Sequence, residues 1–403
     1  MKDRRVEVLA PAGDMERLIM VLAYGADAVY LAGENFGLRA AAGNFDEDGM
    51  RTALQLCREH NANMYVTCNA VLKNREMQDL PQFLERLEDI KADALIISDM
   101  GVFSLAKKYA PSIPIHISTQ AGVMNYESAR MLHDMGASRV ILARELTIED
   151  IAEIRAKTPR ELQLEAFVHG SMCVSFSGRC LLSNYMTGRD ANSGDCAQPC
   201  RWKYYLMEEK RPGEYLELVE DNGTYIMNSR DLCMIDHIPE LLDAGVDSIK
   251  IEGRTKSAYY AAVITNAYRH AADAAMRGEP LPDIWREEVN KVSHREYSTG
   301  FYFNESGPGQ YYNDSMYSSV CDIVAMVESC DEEGNAILTQ RNKFFVGDAL
   351  ELLTPENEPV SFIAGCMHNA ASEEITDTPH PMMEFRLKLP QMATKLSILR
   401  KPR

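Results

Sequence analysis

Four times in this chain a three-residue turn signal stands directly before a hydrophobic run: Gly25-Ala26-Asp27, Lys91-Ala92-Asp93, Gly136-Ala137-Ser138 and Gly245-Val246-Asp247. Each has the form of a loop leading from a helix into a strand. Together with the runs between them they mark eight short strands, at residues 6–13, 26–33, 63–70, 92–99, 114–120, 138–145, 162–170 and 247–254. Stretches of helical periodicity separate most of these. In the first such stretch Leu18, Ile19, Leu22 and Ala23 make one apolar stripe, and Gly25 supplies the stop. Alternating strands and helices dictate a parallel sheet. Eight units favour closure into an α/β, TIM-like (β/α)8 barrel over an open doubly wound sheet.

The spacing between the seventh and eighth strands is much longer than the others. Residues 171–245 form an insertion rich in Cys, Gly, Asn, Asp and Arg, and insertions after a barrel strand land on the active face. After a last helical stretch at 256–279 comes a polar, aromatic-rich connector containing ESGPGQ at 305–310. Beyond it lie only short strand-like runs with charged turns. The expected domains are a barrel with its insertion over 1–290, a linker over 291–316 and a small β-barrel over 317–403.

The length of 403 residues and a 46% hydrophobic content suffice for one large core and a smaller second one. The opening residues show no apolar leader, and no run of 18 apolar residues occurs, so a cytoplasmic protein without a membrane span is expected. In that compartment ten cysteines point to metal or catalysis rather than disulfides. A formal charge of -18 opposes indiscriminate binding of polyanions, so any nucleic acid must meet a local basic patch.

Five cysteines crowd into the insertion: Cys173, Cys180, Cys196, Cys200 and Cys233. Structural zinc prefers close knuckles at both ends, and only Cys196 and Cys200 approach that spacing. Dispersed thiolates suit an iron–sulfur core better, with Gly178 and Gly194 able to offer amides to its sulfurs. Cys57, Cys68, Cys321, Cys330 and Cys366 fall in apolar patterns and read as compact hydrophobes.

The run EAFVHGSMCVSFSGRCLLS at 165–183 resembles the signature of family 32 of the unclassified peptidases, often labelled collagenase-like. The likeness extends through LAPAG (9–13), HISTQ (116–120), GDCAQPCRW (194–202), NSRDLC (228–233) and KIEGR (250–254). Despite the label, this resemblance implies oxygen-independent hydroxylation with a 4Fe-4S cluster on four cysteines. The branch it is most similar to hydroxylates the wobble uridine of tRNA to 5-hydroxyuridine using prephenate; sister branches act on a ribosomal RNA cytidine or a quinone precursor. Carried over by position, the ligands are Cys173, Cys180, Cys196 and Cys233, with Cys200 a nearby thiol that could exchange with Cys196. Partners implied are tRNA and prephenate, and a homo- or hetero-oligomer with a related family member is possible.

For peptidase chemistry the chain offers no His-Glu-x-x-His run and no G-x-S-x-G elbow, and cluster ligation would consume the thiol nearest His169. His169, at the end of the seventh strand, is expected in the barrel mouth, either as a hydrogen-bonded structural histidine or as a catalytic group touching substrate or cluster. Glu252 and Arg254 end the eighth strand, Glu145 the sixth, Gln120 the fifth and Asn69 the third, so these are expected to converge at the catalytic face. A dicarboxylate calls for arginine forks; Arg179, Arg201, Arg230 and Arg254 are candidates, each equally able to serve a structural ion pair. Arg386, Lys388, Lys395, Arg400, Lys401 and Arg403 form a basic stretch, either a solvated tail or a grip on tRNA phosphates.

Overall fold

A computed structural model describes residues 5–38, 43–173, 175, 180–202, 205–206, 216–217, 230–303 and 320–403. Seven parallel strands follow in order: β1 (Glu7–Pro11), β2 (Ala28–Ala32), β3 (Asn63–Cys68), β4 (Ala94–Ile97), β5 (Ile115–Ile117), β6 (Ala137–Ile141) and β7 (Gln163–Ser171). A two-residue hairpin, β8 (Tyr205–Leu206) and β9 (Leu216–Glu217), and a short strand β10 (Asp231–Cys233) precede the eighth barrel strand, β11 (Ser248–Ile251). Because β11 pairs in parallel with both β7 and β1, the sheet closes. The expected TIM-like barrel is the fold.

The repeated turn signal has a shared physical role. Gly25, Lys91, Gly136 and Gly245 all take positive φ, from +63° to +111°, which turns each helix end back to the sheet. Two residues later a polar side chain ties the incoming strand to the one before it. The carboxylates of Asp27, Asp93 and Asp247 accept the amides of Val8, Met64 and Leu164 at 2.8–2.9 Å, and Ser138 donates to the Ile115 carbonyl at 3.1 Å. Each even-numbered position in the barrel is thereby pinned to its odd neighbour, a fourfold repeat of a two-strand unit. In the first helix, Met15–Ala23, capped by Asp14, the buried face is Leu18, Met20, Val21 and Leu22; Ile19 and Ala23, expected in the stripe, are only half-buried.

The barrel floor is ionic rather than aliphatic. Glu165, fully buried, accepts from Arg139 at 2.8 Å and from Lys250 at 2.9 Å, while Glu7 accepts from Arg139, Tyr65 and Ser248. Mutual pairing is what makes such burial tolerable. Burial alone would push the Glu7 carboxyl up; Arg139 and these hydrogen bonds bring it below the usual range.

One irregularity redirects the top of β7. Its register with β11 slips by a residue after Lys250, so that Phe167 faces the barrel but Ile251 pairs with His169. His169–Ser171 then take β10 as an antiparallel partner, and β10 carries β12 (Tyr297–Ser298) on its far side.

The C-terminal strands β13 (Cys321–Cys330), β14 (Asn335–Gln340), β15 (Ala349–Leu353), β16 (Val360–Ile363), β17 (Met367–Asn369), β18 (Glu374–Ile375), β19 (Glu384–Lys388) and β20 (Ile398–Pro402) form an antiparallel half-barrel. Val324, Leu338, Phe344, Phe385 and Leu399 make its core. It docks on the large barrel through Arg400, whose guanidinium, 0% exposed, grips buried Glu288 of that barrel at 2.5 and 2.7 Å and is steadied by Glu351 of its own sheet at 2.8 Å. Tyr24 adds hydrogen bonds to the carbonyls of Leu353 and Leu396. The basic stretch is therefore not one surface. Arg400 is unavailable to a polyanion because it is the domain clamp, Lys401 and Arg403 pair with Asp348 and Asp322, and Arg386, Lys388 and Lys395 stand exposed, as does the paired Arg403.

Candidate functional site

Two adjoining cavities open at the C-terminal ends of the barrel strands. The inner one, about 70 Å³, is bordered by Asn69, Gln120, Arg144, Lys250, Glu252 and Arg254 among others. The outer one, about 190 Å³, lies under the insertion and is bordered by Cys173, Cys180, Cys196 and Cys200. Thr119, Gln120 and Arg144 line both.

Strand ends position the inner cavity. Asn69, just past β3, accepts the Leu38 amide at 3.1 Å. Lys250 stands between the rings of Tyr30 and Phe167, 4.5 and 5.4 Å from their centroids, while bound to Glu165 below. Arg254 is buried and donates to Thr67, to the Leu38 carbonyl and to Asn44. Arg144 stacks on Phe167 at 3.8 Å, donates to the Ser171 carbonyl at 3.0 Å and lies 3.8 Å from Glu252. Three cationic side chains thus line the cavity beside Glu252; with Lys250 already paired to Glu165, the surplus rests on Arg144 and Arg254 and suits a small anion.

Close backbone approach holds this wall. A Cβ on Gly13 would stand 2.0 Å from the Arg254 carbonyl oxygen. Gly13→Ala is expected to displace the 252–254 segment and to destabilise the chain by about 1–3 kcal/mol, read as a lowered urea midpoint; an unchanged midpoint would show the wall to be pliable.

None of the ten cysteines forms a disulfide. Cys57 and Cys68 are buried, and burial pushes their thiols up to about 12. Cys366, grouped by its sequence context with the compact hydrophobes, is exposed instead: it precedes β17 near the half-barrel's edge. Cys173, Cys180 and Cys196 share the outer cavity with Cys200, whereas Cys233 does not line it. Cys233 sits on β10 opposite His169, 3.8 Å from the Tyr268 hydroxyl, and burial pushes its thiol up to about 11. Among the described residues no three His, Cys, Asp or Glu side chains converge closely enough to hold a metal ion. The donor chemistry nevertheless fits a thiophilic cluster, since four soft ligands surround one cavity.

His169 does not reach the barrel mouth. The slipped register turns it outward, where its ring nitrogens lie 3.2 Å from Tyr268 and 3.4 Å from Tyr297, and burial, with His294 and Lys256 nearby, pulls it down to about 3. Asn69, Gln120, Glu252 and Arg254 do converge; Glu145 lines neither cavity, and Arg230 lies off both, 3.3 Å from Glu296. Arg179 and the side chain of Arg201 lie outside the described residues. Sequence reasoning missed Arg144 and Lys250. Lys250 was legible in the alternation of the eighth strand, two residues before Glu252; Arg144 lies past the end of β6, where strand parity no longer applies.

Residues 13–311 match the family model described as peptidase family U32, and residues 320–400 match that of the peptidase family U32 C-terminal domain. The chain is 33% identical over 405 residues to "tRNA hydroxylation protein P1" of Bacillus subtilis, covering 99% of this chain and 95% of the relative. It is 35% identical over 428 residues to "tRNA hydroxylation protein P" of Escherichia coli, covering 96% and 94%. Against the "23S rRNA 5-hydroxycytidine C2501 synthase" of Escherichia coli it is 34% identical over 294 residues, covering 73% of this chain and 43% of the relative.

Proposed function

This chain belongs to peptidase family U32, and from that premise we propose that it hydroxylates the wobble uridine of tRNA at C5 without molecular oxygen, with prephenate as oxygen source and a 4Fe-4S cluster as cofactor. The observation that carries the reading is the pair of joined cavities: an inner one lined by Arg144, Lys250 and Arg254, suited to a carboxylic acid such as prephenate, and an outer one walled by thiols. The near-full-length relatives named for tRNA hydroxylation support the RNA class of the second substrate.

Cys173, Cys180 and Cys196 would hold the cluster, with Cys233 as the fourth ligand implied by position in the family and Cys200 as the thiol already on the cavity. When bound, the cluster supplies redox and Lewis-acid chemistry beside the inner cavity. The chain's own residues do the rest: Arg144 binds and orients the dianion, while Lys250 and Arg254, held by their own partners, add positive field from the floor and wall. The target base must leave its stack to enter.

Mass spectrometry of tRNA nucleosides from a strain lacking this chain tests the assignment. Loss of 5-hydroxyuridine, restored by the wild-type chain, is expected where no second pathway operates; an undiminished level there would refute it. The exposed cations supply a second test. Replacing Lys388 and Lys395 together by alanine is expected to weaken tRNA binding and to lower the slope of log affinity against log salt by about 1 for each phosphate no longer neutralised. Equal affinity and slope would exclude this face.

A further inference from the structure

We propose that Arg144 is the carboxylate anchor of the site, holding one carboxylate of a small dicarboxylic acid at the junction of the two cavities. The inference rests on the dicarboxylate reading above and assigns it a residue. Four other cations near the site are committed elsewhere. The guanidinium of Arg254 donates to Thr67, Leu38 and Asn44 and so forms wall. Lys250 is bound to Glu165 at the cavity floor. Arg189 borders the thiols but is half-exposed and 2.7 Å from Asp195. Arg230 borders neither cavity.

Arg144 differs in three respects. It is the cationic residue common to both cavities. Its plane is fixed by the Phe167 ring at 3.8 Å and by one hydrogen bond to the Ser171 carbonyl, so a fork is presented with little freedom left to lose. Glu252 stands 3.8 Å from its terminal nitrogen, beyond direct hydrogen bonding, whereas both terminal nitrogens of Arg254 donate to their neighbours. A guanidinium N–H at the cavity without a close acceptor is one from which an incoming carboxylate can accept. Gln120 and Thr119, which border both cavities beside it, place the bound end of the acid next to the thiols.

Calorimetric titration of the anaerobically purified, iron-loaded protein with prephenate, and with succinate as an unrelated dicarboxylate, tests this. Arg144→Gln is expected to weaken prephenate binding roughly 10- to 100-fold with iron content and melting temperature unchanged. Arg144→Lys, which keeps the charge without the fork, and Phe167→Leu, which keeps the arginine without its stacking surface, are each expected to weaken it roughly 3- to 10-fold; they carry the test if the glutamine variant does not fold. Unchanged prephenate affinity in these folded variants would overturn the role of Arg144 and leave the functional reading standing. A wild-type protein that binds succinate through Arg144 but not prephenate would overturn the choice of co-substrate and keep the anchor. One that binds neither would overturn both.

Discussion

Replacing Cys173 or Cys180 by alanine is expected to bleach the anaerobically purified protein and to bring 5-hydroxyuridine to background. Both thiols border the outer cavity, and a cubane tolerates loss of a soft ligand poorly because water or carboxylate is a weak substitute at iron. Iron should fall from about four atoms per chain towards zero. Cys366→Ala, a change at an exposed thiol on the half-barrel, should leave colour and iron unaltered. Comparing Cys200→Ala with Cys233→Ala then identifies the fourth ligand, since only the ligand's loss should release iron. Full iron in Cys173→Ala would remove that residue from the ligand set.

The second large effect concerns stability. Arg400→Leu is expected to destabilise the chain by about 3 kcal/mol, because removing one partner leaves Glu288 charged in a buried site. Lys291, 3.1 Å from Glu288, remains as a partial partner and keeps the loss near the lower end of what broken buried pairs show. Replacing both residues by apolar side chains, Arg400→Met with Glu288→Leu, should restore most of the stability, since the desolvation cost disappears with the charges. Urea unfolding measures both. A double variant no more stable than the single one would mean that the clamp contributes a geometry that apolar packing cannot replace.

The barrel was legible because its signals are local. The four turn signals require only positive φ and a short polar side chain; glycine announces the first at three of them, Lys91 being the exception, and the polar residue stands at all four. Convergence of Asn69, Gln120, Glu252 and Arg254 followed from strand ends alone. What failed depends on register or tertiary contact. The slip beside Lys250 reverses the facing of His169, and no residue in that strand announces it. Arg400 reads as one more charge in a basic tail until Glu288, 112 residues away, is seen to meet it. Strand β10 is three residues long, too short for a periodic signal, yet it places Cys233. Arg144 escaped notice for a related reason, since its aim is set by Phe167 on the neighbouring strand.

Anaerobic incubation of the iron-loaded chain with unmodified tRNA and prephenate, followed by nucleoside mass spectrometry, tests the central claim most directly. A uridine heavier by one oxygen atom at the wobble position is expected, formed only when prephenate and the cavity thiols are both present. An unmodified uridine, or one hydroxylated as well without prephenate or only when oxygen is admitted, would contradict it.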